Sequence, residues 1–406
     1  MTKKTFSRTT QAVLHRDDGP LAGSICQSTT FVQNELGSSP EFAYSRVANP
    51  TVQQLEKKLG DLENAPPAVC FSTGLAAETA LFLTLLKTGD HVVLGRAVYG
   101  GTTRLFNEIL ADLGIKVTIV DSTNALDMQE AITDRTRLIF VETPANPTLE
   151  ISDIRALAKI AEKLEITLAV DNTFLTSILQ QPLELGADIC VYSTTKHIEG
   201  HSTALGGAVV SRDEEFLARL QRIRKSTGAI QTPHNAWLTL RGLKTLPLRL
   251  LRHSQSAQAV AEWLAQHSQV VQVNYPGLPG SRQHELALQQ HEELAGQVRH
   301  GGVLSFELAG GYDRAVKFTR HLQLCNLVEH VGGLESLLTH PASMTHADVS
   351  REQLNHVGVS ESLLRLSVGL EDVADIIHDL EVAISNSAHG TIESVDQEAG
   401  LCTQAS

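Results

Sequence analysis

The sequence contains few cysteines, and none of them form the close pairs that metal sites and redox motifs need. Five cysteines occur in 406 residues, spread along the chain as Cys26, Cys70, Cys190, Cys325 and Cys402. Their odd number and wide spacing argue against a disulfide framework, and the lack of C-x-x-C spacing argues against a zinc site. We therefore predict reduced thiols, a cytoplasmic protein and no bound metal.

Long apolar runs and basic tracts are missing as well. No apolar run approaches the roughly 20 residues that cross a bilayer. Residues 1–20 include basic side chains but lack the apolar core of a secretory signal. The formal net charge is −13, and no basic tract is present to neutralise phosphates. These absences argue against membrane and nucleic-acid partners and favour an enzyme that acts on small molecules.

The length and patterning of the chain predict two domains that follow an extended arm. With 406 residues, 42% of them hydrophobic, the chain is long for one domain. We divide it into an arm (1–58), a large domain (59–247), a smaller C-terminal α/β domain (248–386) and a tail predicted to be disordered (387–406). At the junction of the two domains, the sequence predicts a long helix that is interrupted near Pro247.

The large domain shows apolar strand candidates that alternate with amphipathic helices. The strand candidates are residues 91–95, 116–121, 138–144, 167–173, 188–195 and 206–211. Runs of Val, Ile and Leu without polar alternation are typical of strands buried on both faces. The pattern therefore predicts an α/β fold with a mostly parallel sheet covered by helices.

Polar side chains follow several of these strands at the point where each strand ends. Gly74 lies between a strand and a helix, Glu142 and Asn146 follow a second strand, Asp171 a third and Lys196 a fourth. Singly, each has an ordinary explanation: a helix cap, a turn or a lysine that reaches the surface. Because ligands of parallel sheets bind beyond the carboxyl ends of the strands, we expect these groups to share one site.

The combination of groups points to one cofactor. Backbone N–H groups at a helix N-terminus bind an anion, a carboxylate pairs with a protonated ring nitrogen, and a desolvated lysine forms an imine with an aldehyde. Ser193 and Thr195, two residues apart, can point the same way and help to hold a phosphate. Pyridoxal 5′-phosphate carries all three features, and we predict it as the cofactor, with Lys196 as the amine that binds it.

Eight ordered motifs carry a resemblance to a known family. They are YSRVANPT, STGLAAE, VYGGT, ETPANPT, DNTF, STTKHIEGHS, ESLLTHPASMTH and LLRLSVGLED. In these motifs the chain resembles the pyridoxal-phosphate enzymes of cysteine and methionine metabolism, from about Ala43 to Ile384. The resemblance implies the fold-type I transferase architecture: a mostly parallel seven-stranded sheet flanked by helices, a smaller C-terminal α/β domain and an N-terminal arm.

The resemblance also implies roles for individual residues. Lys196 would carry the cofactor and shuttle protons, Asp171 would keep the ring nitrogen protonated, and Tyr99 would stack on the ring. The resemblance implies further cofactor contacts for Gly74, Leu75, Asn146, Thr173, Ser193 and Thr195. Tyr44 and Arg46 are similar to a pair that crosses to the phosphate of a neighbouring subunit, which implies a dimer and usually a homotetramer built from two dimers.

Four residues are implied at the substrate. Arg365 would bind the substrate carboxylate, a task that suits its planar pair of donors. Glu329 falls where relatives acting on cystathionine carry an acid for the distal amino group, although a solvated surface glutamate is the alternative. Arg104 matches an arginine that meets a leaving group or distal carboxylate. His330 replaces a usual serine, and both an inert filler and a proton carrier stay open.

The resulting hypothesis is γ-elimination or γ-replacement on a γ-substituted L-amino acid, of the cystathionine γ-lyase or γ-synthase type. The alternatives within the family are a γ-lyase specialised for methionine, homocysteine or canavanine, and a cystathionine β-lyase. A catalytically silent relative and an aminotransferase are disfavoured by the completeness of the motifs. His197 and His201 are four residues apart with a glycine between them, and we favour packing over metal binding for this pair.

Overall fold

The computed structural model describes residues 6–14, 20–38, 40–345, 354 and 358–388. Most of the predicted tail, residues 389–406, lies outside this range. The arm is not wholly extended, because a short helix, α1 (Arg8–Val13), forms in it with Ser7 as its N-cap. Helix α2 (Pro50–Leu62) follows, capped by Asn49. In the described residues, no helix is long and apolar enough to cross a membrane.

A seven-stranded sheet forms the centre of the large domain. Its strands are β1 (Val69–Phe71), β2 (His91–Gly95), β3 (Lys116–Val120), β4 (Thr136–Glu142), β5 (Thr167–Asp171), β6 (Ile189–Tyr192) and β7 (Gly207–Ser211). The spatial order is β1-β7-β6-β5-β4-β2-β3. The strands β2 to β6 pair in parallel with one another, whereas β7 is antiparallel to both β1 and β6. The predicted mostly parallel sheet is confirmed.

Helices cover both faces of this sheet, as the continuous apolar strands predict. The helices between the strands are α3 (Gly74–Leu85), α4 (Gly100–Arg104), α5 (Ala125–Glu130), α6 (Ile154–Leu164), α7 (Thr176–Leu179) and, after β7, α8 (Glu214–Thr227). Neighbouring residues of one strand belong to different apolar clusters. Val191 packs in the cluster that contains α3 and α8, whereas Cys190 and Tyr192 pack in the cluster that contains α2. Polar groups can therefore approach a ligand only at the strand ends.

A second sheet organises the C-terminal part of the chain. It has five strands in the order β12-β13-β14-β11-β8. The strands are β8 (Val270–Asn274), β11 (Val303–Leu308), β12 (Asn326–Leu327), β13 (Leu337–Thr339) and β14 (Leu363–Ser367), with a hairpin of β9 (Glu293–Leu294) and β10 (Gln297–Val298) outside it. Its helices are α10 (His284–Gln290), α11 (Gly311–His321) and α12 (Val373–Ala388), of which α11 and α12 pack with the sheet in one apolar cluster.

One long helix connects the two sheets, and it corrects a prediction. Helix α9 runs without a break over Pro233–Gln266, so the predicted interruption near Pro247 is wrong. A proline removes one helical N–H donor, and its ring crowds the carbonyl four residues earlier. Leu243, Leu246 and Leu250 around Pro247 are buried in one apolar cluster, and this packing outweighs the cost of the proline. The later turns of α9 belong to the apolar core of the second sheet.

Candidate active site

A cavity of about 300 Å³ lies at the carboxyl ends of the parallel strands, where the second sheet meets the first. The cavity brings together the predicted catalytic residues Lys196, Asp171 and Tyr99 with the predicted substrate residues Arg365 and Glu329. The six predicted cofactor contacts of this subunit also line it: Gly74, Leu75, Asn146, Thr173, Ser193 and Thr195. Residues that are far apart in the sequence therefore lie together at the carboxyl ends of the strands, as expected from the sequence.

Lys196 lies in the turn that follows β6, where the backbone folds back on Ser193. Burial, together with a smaller contribution from the positive charge of Arg365, lowers the pKa of Lys196 to about 8. Its Nζ lies 3.3 Å from Nδ1 of His330. About a tenth of Lys196 is therefore the neutral, nucleophilic amine at pH 7, a far larger share than for an ordinary lysine with a pKa of about 10.4.

Asp171 ends β5 and is 7% exposed. Burial raises the pKa of this carboxyl to about 6, while hydrogen bonds from Thr173 act in the opposite direction. The Thr173 backbone N–H donates to Oδ1 at 2.8 Å and fixes the carboxylate in the loop. A cationic ring nitrogen placed against Asp171 would favour its ionised form.

The N-terminus of α3 forms an anion-binding cradle. Thr73 caps the helix by accepting the Ala76 N–H at 3.0 Å, so the first-turn N–H groups of Gly74 and Leu75 have no partner inside the helix. A Cβ at Gly74 would lie 2.9 Å from Cβ of Ser193, so only glycine fits this approach. A phosphate suits these donors, whereas the Thr195 hydroxyl already exchanges hydrogen bonds with the backbone of Gly206.

Arg365 on β14 is 3% exposed and reaches from the second sheet into the cavity. Its Nη1 donates to Oδ1 of Asn146 at 2.7 Å, and its Nη2 donates to the Thr339 hydroxyl at 2.8 Å. Among the described residues, no partner accepts a hydrogen bond from its buried Nε. Burial lowers the pKa of Arg365 to about 10, and the group remains a cation at neutral pH. A free donor on a fixed guanidinium suits a carboxylate ligand.

Two further buried carboxyls line the cavity: Glu142, which the sequence placed at the site without a specific role, and Glu78, which the sequence pattern did not single out. Glu142 ends β4 beside Asp171 in the parallel register. Its Oε2 accepts the backbone N–H of Tyr99 at 2.7 Å. Glu78 on α3 accepts the Thr102 hydroxyl at 2.7 Å. Two sequence features point to these carboxyls: Glu142 ends its strand as Asp171 ends the next one, and Glu78 follows Gly74 by one helical turn.

Four predicted site residues are absent from the lining of this cavity: Tyr44, Arg46, Arg104 and His330. Tyr44 and Arg46 lie in the arm, where Arg46 contacts the Tyr44 ring and donates to the Lys225 carbonyl at 2.8 Å. Arg104 is exposed at the end of α4, which continues into a π-helical stretch over Leu105–Leu110. The predicted contact of Tyr44 and Arg46 with a phosphate is therefore not made at the cavity of their own subunit.

His330 lies between the first cavity and a neighbouring one of about 530 Å³. Burial lowers the pKa of His330 to about 4, and the Lys196 charge acts in the same direction. The imidazole is therefore neutral at pH 7 and presents one nitrogen to Lys196. Thr195 and Leu205 line both cavities, so the two spaces adjoin. In the described chain, no cluster of three or more His, Cys, Asp or Glu side chains is placed to hold a metal ion.

Comparisons with known proteins agree in one family. Residues 9–385 match the Cys/Met metabolism PLP-dependent enzymes. The chain is 42% identical to cystathionine gamma-lyase of Mus musculus over 366 residues, 90% of each chain. It is 40% identical to L-methionine gamma-lyase of Pseudomonas deceptionensis over 402 residues, 95% of this chain and 99% of that one. The structure of cystathionine gamma synthase from Xanthomonas oryzae pv. oryzae, in complex with aminoacrylate and cysteine, aligns with a TM-score of 0.91 at 38% identity, covering 95% of this chain and 99% of that one.

The lowered pKa of Lys196 has a measurable consequence in protein freed of its cofactor. Only the neutral amine reacts with an aldehyde, so trapping at Lys196 should rise with pH and reach half its maximum near pH 8. An ordinary lysine has a pKa of about 10.4 and should respond roughly two pH units later. Reductive trapping with an aldehyde and cyanoborohydride, followed by peptide mass spectrometry, measures both. The exposed Lys87 is the control, and a shared midpoint for the two lysines would contradict the prediction.

Proposed function

The chain belongs to the Cys/Met metabolism PLP-dependent enzymes, and we propose that it catalyses γ-elimination or γ-replacement on a γ-substituted L-amino acid of the cystathionine type. The observation that supports this most is the shared cavity. Arg365, Lys196 and Glu329 all line one space, which therefore combines a buried cation, an amine and an exposed acid. This combination suits a substrate that carries both a carboxylate and a distal ammonium.

The donor set fits pyridoxal phosphate, because the glycine-lined cradle, the buried carboxyl and the desolvated lysine open onto the same cavity. When bound, the cofactor supplies an aldehyde that condenses with amines and a pyridine ring that withdraws electrons. We assign the aldehyde to Lys196, the ring nitrogen to Asp171, the stacked ring face to Tyr99, and the phosphate to the first turn of α3 with Ser193. Asn146 and Thr173 would lie along the ring edge.

The chain's own groups then handle the substrate and its protons. Arg365 holds the α-carboxylate through its free Nε and sets the orientation of Cα. Lys196, once released as the neutral amine, takes the proton from Cα and then moves a proton at Cβ, so that the bond from Cγ to the leaving group can break. Asp171 stays ionised against the ring nitrogen and keeps that atom protonated. For cystathionine, γ-elimination with water yields cysteine, 2-oxobutanoate and ammonia.

The far end of the substrate is assigned to Glu329. This side chain is exposed, yet it lines the cavity, and its negative charge acts to raise the pKa of Arg365. An acid at the rim favours a substrate or nucleophile whose distal group is a cation. Arg104 on the turn after Tyr99 is proposed for a leaving group or distal carboxylate.

A second candidate is a γ-lyase for another leaving group with a cationic end, such as the guanidino-oxy group of canavanine. The observation that favours it is Glu329 in the cavity lining, because a carboxylate pairs with a guanidinium as well as with an ammonium. A second cavity of about 530 Å³, lined by His330, adjoins the first along Thr195 and Leu205.

We also propose a homotetramer in the cytoplasm. Tyr44 and Arg46 lie in the arm and do not reach the cavity of their own subunit. The arm exposes several large apolar side chains, including Leu21, Val32 and Leu36, which is typical of a surface that another chain covers. We assign Tyr44 and Arg46 to the phosphate of the neighbouring subunit.

A panel of substrates tests the reaction. The purified holoenzyme is incubated with cystathionine, homocysteine, methionine, canavanine, and O-succinylhomoserine plus cysteine, and the products are quantified. We expect 2-oxobutanoate from cystathionine or cystathionine from the last pair, because both follow from chemistry at Cγ. Pyruvate as the main product from cystathionine would contradict γ-chemistry and indicate a β-lyase. Turnover of canavanine above all others would select the second candidate.

Removal of the charge at Glu329 should affect substrates selectively. In Glu329→Gln, we expect kcat/KM for cystathionine to fall about tenfold, the effect of one charge-assisted hydrogen bond. For methionine and homocysteine, whose distal ends carry no cation, we expect a change of less than about threefold. Glu293→Gln, which neutralises an exposed acid on β9, is the control. Equal losses on all substrates would remove the basis for the assignment of Glu329.

The contact of His330 with Lys196 predicts different effects for two variants. His330→Asn places an oxygen acceptor near the position of Nδ1, whereas His330→Leu removes the acceptor and keeps the volume. We expect kcat to fall about tenfold or more in the leucine variant and to be largely restored in the asparagine variant. Because the pKa of His330 is about 4, neither variant should remove a limb of the pH profile between pH 6 and 9. Identical kcat values in all three proteins would make His330 a bystander.

A further inference from the structure

The turn that carries Tyr99 is held by two buried carboxyls from different elements. Tyr99 is the N-cap residue of α4, and its side chain makes no capping hydrogen bond. Its backbone N–H donates to Glu142 Oε2 at 2.7 Å. Three residues later, the Thr102 hydroxyl donates to Glu78 Oε2, also at 2.7 Å. Strand β4 therefore holds the start of the turn, and helix α3 holds its first helical residues.

The carboxyl of Glu78 is buried, which costs the free energy of its desolvation. Glu78 is 3% exposed, and its partner Thr102 is 1% exposed. Burial raises the pKa of Glu78 to about 8, and the Asp171 carboxyl acts in the same direction. No step of the proposed chemistry uses this group. A carboxyl that is buried without a salt bridge loses its hydration, and a hydrogen bond inside the protein must offset that cost.

The same face of α3 reaches both the anion cradle and the Tyr99 turn. Gly74 and Leu75 form the first turn of the helix, and Glu78 lies one turn further along the same face. The Tyr99 ring lies against the backbone of Gly101 in α4. A Cβ at Gly101 would be 2.5 Å from Cε1 of the ring and 3.0 Å from Cδ1 of Leu75. The ring, α4 and the first two turns of α3 therefore form one packed unit.

We propose that Glu78 is a positioning residue, which holds the α4 turn through the Thr102 hydroxyl and thereby fixes the Tyr99 ring over the cofactor site. The inference rests on the proposed role of Tyr99 as the residue that stacks on the ring. It adds that the orientation of Tyr99 is coupled to the helix that binds the phosphate. Glu142 supplies the second attachment, at the backbone of Tyr99 itself.

Four variants separate this role from simple filling of space. Glu78→Leu and Thr102→Val remove one partner each and preserve the approximate shape. Glu78→Gln and Thr102→Ser preserve the acceptor and the donor, respectively. Thr84→Val is the matched control, because Thr84 is a buried threonine of the same helix whose hydroxyl donates to the Ala80 carbonyl of that helix.

The first measurement is backbone hydrogen exchange over residues 99–110 in the full-length holoenzyme. We expect exchange about tenfold faster in Glu78→Leu and Thr102→Val, and a double variant no faster than either single one, because both remove the same contact. The glutamine and serine variants should recover most of the protection. Unchanged exchange in Glu78→Leu, or equal loss in Glu78→Gln, would overturn the proposal.

The second measurement follows the ring itself. The visible circular dichroism of the bound cofactor reports how the ring is held, and we expect its band to weaken in the two disrupting variants with a three- to tenfold lower kcat/KM. Faster exchange with an unchanged band would overturn the link to Tyr99. A wild-type protein inactive on the whole substrate panel would refute the proposed function, and the exchange data would still decide whether Glu78 holds the turn.

Discussion

The hydrogen bond from Arg365 to Asn146 joins the two sheets, and the site depends on it. The residues are 219 positions apart, and the bond is 2.7 Å long and buried. Without it, the donor on β14 and the loop after β4 would face each other across the cavity with no fixed spacing. A charge-assisted bond of this kind contributes about 1.5 to 3 kcal/mol. It also leaves Nε of Arg365 without a partner among the described residues, so the same group can join the sheets and bind a ligand.

The cavity concentrates acidic groups, and this explains the chemistry assigned to it. Burial raises the pKa of Asp171, Glu142 and Glu78, and their mutual repulsion raises the last two further. Three buried carboxyls cannot all ionise at neutral pH unless a cation enters. A cofactor with a protonated ring nitrogen supplies that charge, so its binding and the ionisation of Asp171 support each other. Burial, with a smaller contribution from the charge of Arg365, lowers the pKa of Lys196 and favours its neutral form.

The sequence predicted the parts of the site that depend on local pattern. Buried strands appear as continuous apolar runs, and their ends locate Asp171 and Lys196 to within a few residues. The role of Glu78 could not be predicted this way, because a glutamate in a helix usually faces solvent. Its burial depends on a threonine from another helix. The unbroken helix through Pro247 likewise depends on the packing of Leu243, Leu246 and Leu250 in one apolar cluster, which propensity alone does not contain.

The side chains that line the cavity differ in how firmly hydrogen bonds and burial fix them. Arg365, Asp171 and Asn146 are buried and fixed by hydrogen bonds, so the groups around Cα have little freedom. Glu329 is exposed at the rim, beside the space that His330 divides from the second cavity. Under the proposed assignment, substitutions at the rim would leave the buried network intact and would change which leaving group or nucleophile is accepted. Relatives about 40% identical to this chain are named for different reactions, as expected if the shared centre sets the chemistry at Cα and the rim selects the substrate.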